Sequence, residues 1–330
     1  VELYDEFRWG LIGPGRIARR FAESLESIPT AFLNSVASRD LQKAKDFADD
    51  YAAPEYFGAY GEMLLRSKPD AVYISTPHNF HFEQAMMCLE AGVPVLCEKP
   101  LTVNSRQAQQ LFNLAKAKGV FLMEALWTRY LPVWREAKVL VKSGYIGDLH
   151  MLDSNFGFSF PRFSEDRVLN PHLAGGALLD IGIYPLAMSQ WILDSDPLDV
   201  KVHAVLGETG VDELLSVTMM YSGNIVSRFS ANILARTTND FWIYGSEGRI
   251  RIHENFWEGT RLTLIRGSEE RTQHFPFRKN GFEYEAEELM RCVKLGLMES
   301  PDMTEAHSLG NLRIMDRIRQ EIGLKYPFED

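Results

Sequence analysis

Cysteine is scarce in this chain, with Cys88, Cys97 and Cys292 the only three in 330 residues. An odd number of scattered thiols without a Cys-x-x-Cys pair argues against a disulfide framework and a structural zinc site, and it predicts a reducing, cytoplasmic setting. No uninterrupted apolar run is long enough to span a bilayer. The segment Val1-Glu2-Leu3-Tyr4-Asp5-Glu6 has no basic flank leading into an apolar stretch, so neither membrane insertion nor secretion is expected. Basic clusters are missing too. Lys and Arg number 35 against 45 Asp and Glu, a net charge of -10, which makes nucleic acid and anionic membrane poor partners. A small diffusible substrate fits better. Internal repeats and low-complexity linkers are also lacking, and the 45% of apolar residues can bury a substantial core divided over two domains.

From Phe7 to about Trp127, short apolar runs alternate with stretches of helical periodicity, which predicts repeated strand-helix units around a parallel sheet. The expected strands are 8–12, 33–38, 71–75, 93–97 and 120–123. Helices are expected over 16–28, 41–51, 60–66, 80–91 and 105–118, with Asp40 and Asn104 as N-caps. Beyond about Asp148 the pattern changes to consecutive β-type runs, and Ser222-Gly223-Asn224 and Ser246-Glu247-Gly248 read as hairpin turns. Two helices near 284–297 and 305–322 close the chain. The expected fold is α/β: an N-terminal Rossmann doubly wound parallel sheet over 1–127, then a C-terminal α+β domain with a large, mostly antiparallel sheet over 128–330. Helices on one face of that sheet leave the other needing cover, which predicts a homodimer through the C-terminal sheet.

The turn Gly13-Pro14-Gly15-Arg16-Ile17-Ala18 follows the first strand and opens the first helix. Gly13 permits a sharp turn, Gly15 lets backbone approach a pyrophosphate, and Ala18 allows close helix packing, so a dinucleotide would rest on the helix N-terminus. An ordinary tight strand-helix connection is the plainer alternative. At the end of the second strand, where an NAD enzyme carries an acid, stand Ala37-Ser38-Arg39. Arg39 can pair with a 2′-phosphate and lie on adenine while Ser38 adds a hydrogen bond, which favours NADP. NAD stays open through Asp40, which reads either as a displaced ribose acid or as the cap of the next helix.

Glu98-Lys99-Pro100 follows a later strand, and in a doubly wound sheet it faces the same crevice as the glycine turn. Beside a nicotinamide, the Lys99 ammonium can polarise a carbonyl or stabilise a developing alkoxide, with Glu98 fixing its orientation. Taken alone, Lys99 reads more readily as a surface lysine before a proline turn, and it is the context that reverses this. With Ser75-Thr76-Pro77-His78-Asn79-Phe80-His81 and Gly175-Gly176-Ala177-Leu178-Leu179-Asp180-Ile181-Gly182-Ile183-Tyr184, these motifs resemble, over nearly the whole chain, the glucose-fructose oxidoreductase, inositol dehydrogenase and rhizopine-catabolism (Gfo/Idh/MocA) family. Residues 121–129 and the tyrosine ending are similar to its dimeric dihydrodiol dehydrogenase and NADP-dependent xylose dehydrogenase branch. The resemblance implies that Lys99 is the catalytic lysine. It also implies that Thr76, Pro77 and His81 line the cofactor's path, and that Trp127 and Arg129 lie close to the nicotinamide. Many family members have histidine where this chain has Tyr184, so a phenol exchanges the proton, assisted by a neighbouring ammonium, with Asp180 orienting substrate or lysine.

Plainer readings make Asp180 a helix cap and Tyr184 a core phenol. Gly182 and Pro185 leave a regular helix there uncertain. His78 and His81 lack a third ligand, so no metal is expected. Of the aromatic residues that can wall a substrate pocket, Phe156 and Trp257 are the candidates, with loops 160–174 and 255–260 setting specificity. The short-chain dehydrogenase pattern fails, since no tyrosine precedes a lysine by four. The expected protein is a dehydrogenase or reductase moving hydride between NADP and a hydroxyl or carbonyl of a sugar or small cyclic diol. The alternative is a dinucleotide-binding sensor without chemistry.

Overall fold

The computed structural model describes residues 6–160 and 167–329. The chain divides into two compact units, Val1–Trp127 with Arg278–Leu309, and Thr128–Phe277 with Gly310–Asp330.

In the first unit β1 (Phe7–Ile12), α1 (Arg16–Leu25), β2 (Ala31–Ala37), α2 (Leu41–Asp50), β3 (Glu55–Phe57), α3 (Tyr60–Arg66), β4 (Ala71–Ile74), α4 (His81–Glu90), β5 (Val95–Glu98), α5 (Ser105–Lys118) and β6 (Leu122–Ala125) follow one another. The strands form one parallel sheet in the order β3-β2-β1-β4-β5-β6. Every residue of β4, β5 and β6 is buried, as expected for a parallel sheet covered on both faces. The Asp40 carboxylate caps α2 by accepting from Gln42 N and Lys43 N, and Asn104 caps α5 by accepting from Gln107 N. The chain steps outward from β1 to β2 and β3, then returns to β4. The topological switch, where doubly wound sheets bind ligands, therefore lies between the C-terminal ends of β1 and β4.

The second unit contains α6 (Pro132–Lys142), β7 (Leu149–Gly157), α7 (Ile183–Leu193), β8 (Asp199–Leu206), β9 (Asp212–Tyr221), β10 (Ile225–Asn232), β11 (Phe241–Gly245), β12 (Arg249–Ile252), β13 (Arg261–Arg266) and β14 (Glu269–His274). Its sheet runs β14-β13-β12-β11-β7-β10-β9-β8, antiparallel except where β10 lies parallel to β7. The turns at 222–224 and 246–248 join antiparallel neighbours, as their composition predicts. Among the described residues one helical stretch, Pro171–Leu193, is long and apolar enough to cross a membrane by length and composition, though His172, Asp180 and Gln190 interrupt its apolar run. It is a core element, since 89% of its most apolar window is buried.

Helices α8 (Glu283–Lys294) and α9 (Glu305–Glu321) follow. Residues 278–309 belong with the first unit, unlike the continuous 128–330 domain expected from the change in pattern. The reason is local packing. Asn280 Nδ2 donates to Arg20 O at 2.7 Å, Arg20 Nη2 donates to Asn280 O at 3.1 Å, and the Phe282 ring stacks on Trp127 at 4.5 Å.

Candidate active site

At the switch point, Gly13 has φ +90, and a Cβ there would lie 2.5 Å from the Thr76 methyl. Only glycine permits that turn against the loop after β4, which Ser75 ties down by donating to Gly13 O at 3.0 Å. Gly15 differs. A Cβ on it would meet nothing closer than Gly13 O at 3.9 Å, so protein packing does not demand glycine there. Gly15 is also the N-cap of α1 without a side-chain cap, which leaves the first peptide N–H groups of α1, at Arg16 and Ile17, without a side-chain acceptor. An open approach to uncapped donors fits the pyrophosphate of a dinucleotide.

Arg39, at the end of β2, places its guanidinium 4.8 Å from the Phe80 ring centroid. Its charge acts on Tyr60, whose phenol burial pushes up and Arg39 pulls back. The Asp40 carboxylate is engaged in the α2 cap, and Ser38 Oγ accepts from Asp40 N at 3.1 Å. Thr76 Oγ1 donates to Gln84 at 2.7 Å, and Pro77 opens the following helical turn. Both nitrogens of the buried His81 ring meet carbonyl oxygens, Thr76 O at 2.9 Å and Pro100 O at 2.8 Å. This ring joins the loop after β4 to the loop carrying Lys99.

Lys99 sits on a cis Lys99–Pro100 peptide at the end of β5, half-buried. Glu98 beside it is buried, accepting from the Tyr73 hydroxyl and from Lys99 N at 3.3 Å. Burial raises the Glu98 carboxyl and the Lys99 charge lowers it. Glu124 accepts from Leu101 N at 2.9 Å and from Ser308 Oγ at 2.7 Å, which fixes the segment after Pro100. Glu285 of α8 is fully buried with neither oxygen partnered, and burial together with the Glu98 charge pushes its carboxyl well above the ordinary range. The same burial raises the Cys88 thiol to about 12. Trp127 stacks on Phe282, and the Arg20 guanidinium lies over both rings, 4.9 Å and 5.1 Å from their centroids.

The second unit assembles its own cluster. A π-helical turn, Leu178–Gly182, runs directly into α7, so Gly182 and Pro185 do not break the helix and Asp180 and Tyr184 share a face. Arg167 Nη2 donates to Asp180 Oδ1 at 2.8 Å. Phe156 stacks on Trp257 with centroids 3.6 Å apart and 8° between planes, and lies 5.8 Å from the Tyr184 ring. Trp257 is held by Thr128 Oγ1, which donates to its carbonyl at 2.6 Å. Arg129 is fully buried, its guanidinium 5.8 Å from the Trp191 ring centroid. Of the specificity loop 160–174, residues 161–166 lie outside the described residues.

Tyr60, Gln84, Arg167 and Glu285 are contributors that the sequence reading did not reach. Tyr60 and Gln84 carried a local signal, being the opening residue of α3 and a polar residue facing back along α4. Arg167 and Glu285 are brought in by the tertiary fold alone. Among the described residues, no group of three His, Cys, Asp or Glu is arranged to hold a metal ion.

Comparison with known proteins adds a family to this geometry. Residues 7–126 match the oxidoreductase family with an NAD-binding Rossmann fold, and residues 134–251 match the GFO/IDH/MocA C-terminal domain. The chain is 35% identical to a trans-1,2-dihydrobenzene-1,2-diol dehydrogenase of Xenopus tropicalis, over 97% of this chain and 99% of that one. It is 31% identical to the human protein of that name, over 97% and 98%. A 3-ketoreductase from Actinomadura kijaniata, solved with NADP and TDP-benzene, superposes with a TM-score of 0.85 at 27% identity, covering 96% of this chain and 98% of that one. With both halves matched and full-length relatives above 30% identity, the chain belongs to the Gfo/Idh/MocA oxidoreductase family.

Proposed function

We propose that this NAD(P)-binding oxidoreductase uses NADP to interconvert a hydroxyl and a carbonyl on a sugar or small cyclic diol. The reading rests above all on the loops after β1, β4 and β5, which bring Gly13, Thr76 and Lys99 to one edge of one sheet at its topological switch. Gly13, Gly15 and the N-terminus of α1 would hold the pyrophosphate, and Ser38, Arg39, Tyr60 and Phe80 the 2′-phosphate and adenine. When bound, the nicotinamide supplies a two-electron hydride donor or acceptor.

The Lys99 ammonium steadies the charge that develops on the substrate oxygen, and Glu98 holds the lysine loop through Lys99 N. The Tyr184 hydroxyl takes the proton from an alcohol or returns it to a forming one. Asp180, anchored by Arg167, orients the substrate. The Phe156–Trp257 stack supplies an apolar wall that excludes water from one side of Tyr184. Support for the cofactor and the reaction class comes from the relatives. Dihydrodiol dehydrogenases match over nearly the full length, and an NADP-bound 3-ketoreductase shares the fold.

The test is a fluorescence screen of NADPH formation and consumption across aldoses, ketoses, inositols and dihydrodiols, repeated with Lys99→Met. Turnover should fall by roughly three orders of magnitude with cofactor affinity within a few-fold, the signature of an interaction made at the transition state. Unaltered turnover in Lys99→Met removes the catalytic reading, and cofactor binding without turnover on any substrate favours a sensor.

A further inference from the structure

The glycine motif ahead of Asp180 and Tyr184 rests on a carboxylate that the chemistry above does not use. Asp212, the first residue of β9, is fully buried. Its Oδ2 accepts from Leu178 N at 2.6 Å, while its Oδ1 has no partner. Gly176 has φ +118, and a Cβ on it would lie 2.1 Å from Asp212 Oδ1, so glycine is what lets the carboxylate come up behind the motif. The Tyr326 hydroxyl donates to Gly175 O at 2.8 Å. The first residue of the π-helical turn is therefore held by Asp212, and Gly175, three residues before it, by Tyr326.

We propose that Asp212 is a positioning residue for proton transfer at Tyr184: seated behind Gly176 on the Leu178 N–H, it fixes the first turn of the helical stretch carrying Asp180 and Tyr184. This rests on the reading of Tyr184 as the proton-exchanging group. An ionised carboxylate is the stronger acceptor for a peptide N–H. Protonation of Asp212 weakens that hold and puts the hydroxyl on Oδ1, the oxygen without a partner.

The charged and titratable groups facing Asp212 are few. Arg319 approaches from α9, itself paired with Glu329 at 2.6 Å and Asp316 at 3.1 Å, and Tyr326 comes from the segment beyond α9. Asp180 acts on Tyr326 from the helical stretch itself. Burial raises Asp212 to about 7, against the Leu178, Asp212 and Ala177 peptide N–H groups and the Arg319 charge. The first turn is then held firmly above neutral pH and loosely below it, and the proposal gives the kcat profile an acidic limb there.

The experiment measures kcat, KM and NADPH dissociation against pH for the full-length enzyme and for Asp212→Asn, Gly176→Ala and Tyr184→Phe. In Asp212→Asn the acidic limb near neutral pH disappears and kcat falls on the order of tenfold, with NADPH dissociation unchanged, as misplacement of a reacting group predicts. Gly176→Ala displaces the carboxylate and lowers kcat comparably, so it decides the matter should Asp212→Asn fail to fold. A wild-type kcat and acidic limb in the folded variant, whatever its melting temperature, overturns the proposal. Tyr184→Phe separates the two readings. Full turnover there sinks the proton-transfer assignment and the proposal with it. Collapsed turnover beside an unmoved limb in Asp212→Asn sinks the positioning role alone.

Discussion

The Arg39 guanidinium lies 4.8 Å from the Phe80 ring centroid, and its charge also acts on the Tyr60 phenol. A cation held between a ring and a phenol at the end of β2 is pre-organised to receive a 2′-phosphate. Arg39→Ala should weaken NADP binding by roughly ten- to hundredfold, the value of one or two charge-assisted hydrogen bonds, and change NAD binding little. Titration of intrinsic fluorescence with each cofactor measures both. Equal losses for the two cofactors would contradict the phosphate role.

Gly13 and Gly15 should respond differently to the same substitution. Gly13→Ala meets a positive φ and the Thr76 methyl at 2.5 Å, so it costs stability by about 1–3 kcal/mol as well as cofactor affinity. Gly15→Ala has room, with its nearest protein neighbour at 3.9 Å, so thermal unfolding stays at the wild-type midpoint while cofactor dissociation rises. Paired melting curves with and without NADP read both effects. A Gly15→Ala enzyme that binds cofactor normally would show that the space at Gly15 receives no phosphate.

Legibility from sequence followed how local the cause was. The alternating strands and helices of the first unit carry their periods, caps and turns within about a dozen residues, and so does the glycine turn. Strand β3 escaped notice because Glu55-Tyr56-Phe57 is too short to show a period. Strand β14, Glu269–His274, is an exposed edge strand of polar residues and has no apolar alternation to read. Helix α6 opens on a proline between two stretches of clearer pattern. The return of α8 to the first unit depends on Arg20 meeting Asn280, 260 residues apart, which no window of sequence contains. Motifs of the candidate site were legible for the same reason that the partners Arg167, Asp212 and Glu285 were not: the former are contiguous, and the latter are made adjacent by folding.

Glu285 should impose a pH dependence on stability. Its carboxyl is raised in the folded state by burial and by the Glu98 charge, so the folded protein holds a proton that the unfolded chain releases. The stabilisation is fully present below the unfolded carboxyl's pKa and is lost as pH rises toward the folded value, at about 1.4 kcal/mol per pH unit for a single proton. Glu285→Gln keeps a neutral group of the same shape and removes this slope. Urea unfolding at a series of pH values should show the variant gaining on the wild type as pH rises. Parallel curves for the two proteins would mean that Glu285 is ionised in the folded state.

The outward face of the eight-stranded sheet carries Trp242 stacked on Tyr244 at 5.6 Å, flanked by Arg249 and Arg251 over the Trp242 ring. Tryptophan, tyrosine and arginine grouped in this way have the composition of an interface centre rather than of an ordinary solvated face. We therefore propose that a second copy of the chain covers this sheet. Sedimentation at micromolar concentration should give a dimer for the wild type and a shift toward monomer for Trp242→Glu, which sets a carboxylate among the residues to be buried. Because the substitution lies on the face away from the Tyr184 cluster, substrate affinity per site should change by no more than a few-fold if the monomer keeps its fold. A wild type that sediments as a monomer throughout that range would leave the sheet face solvated and the dimer expectation wrong.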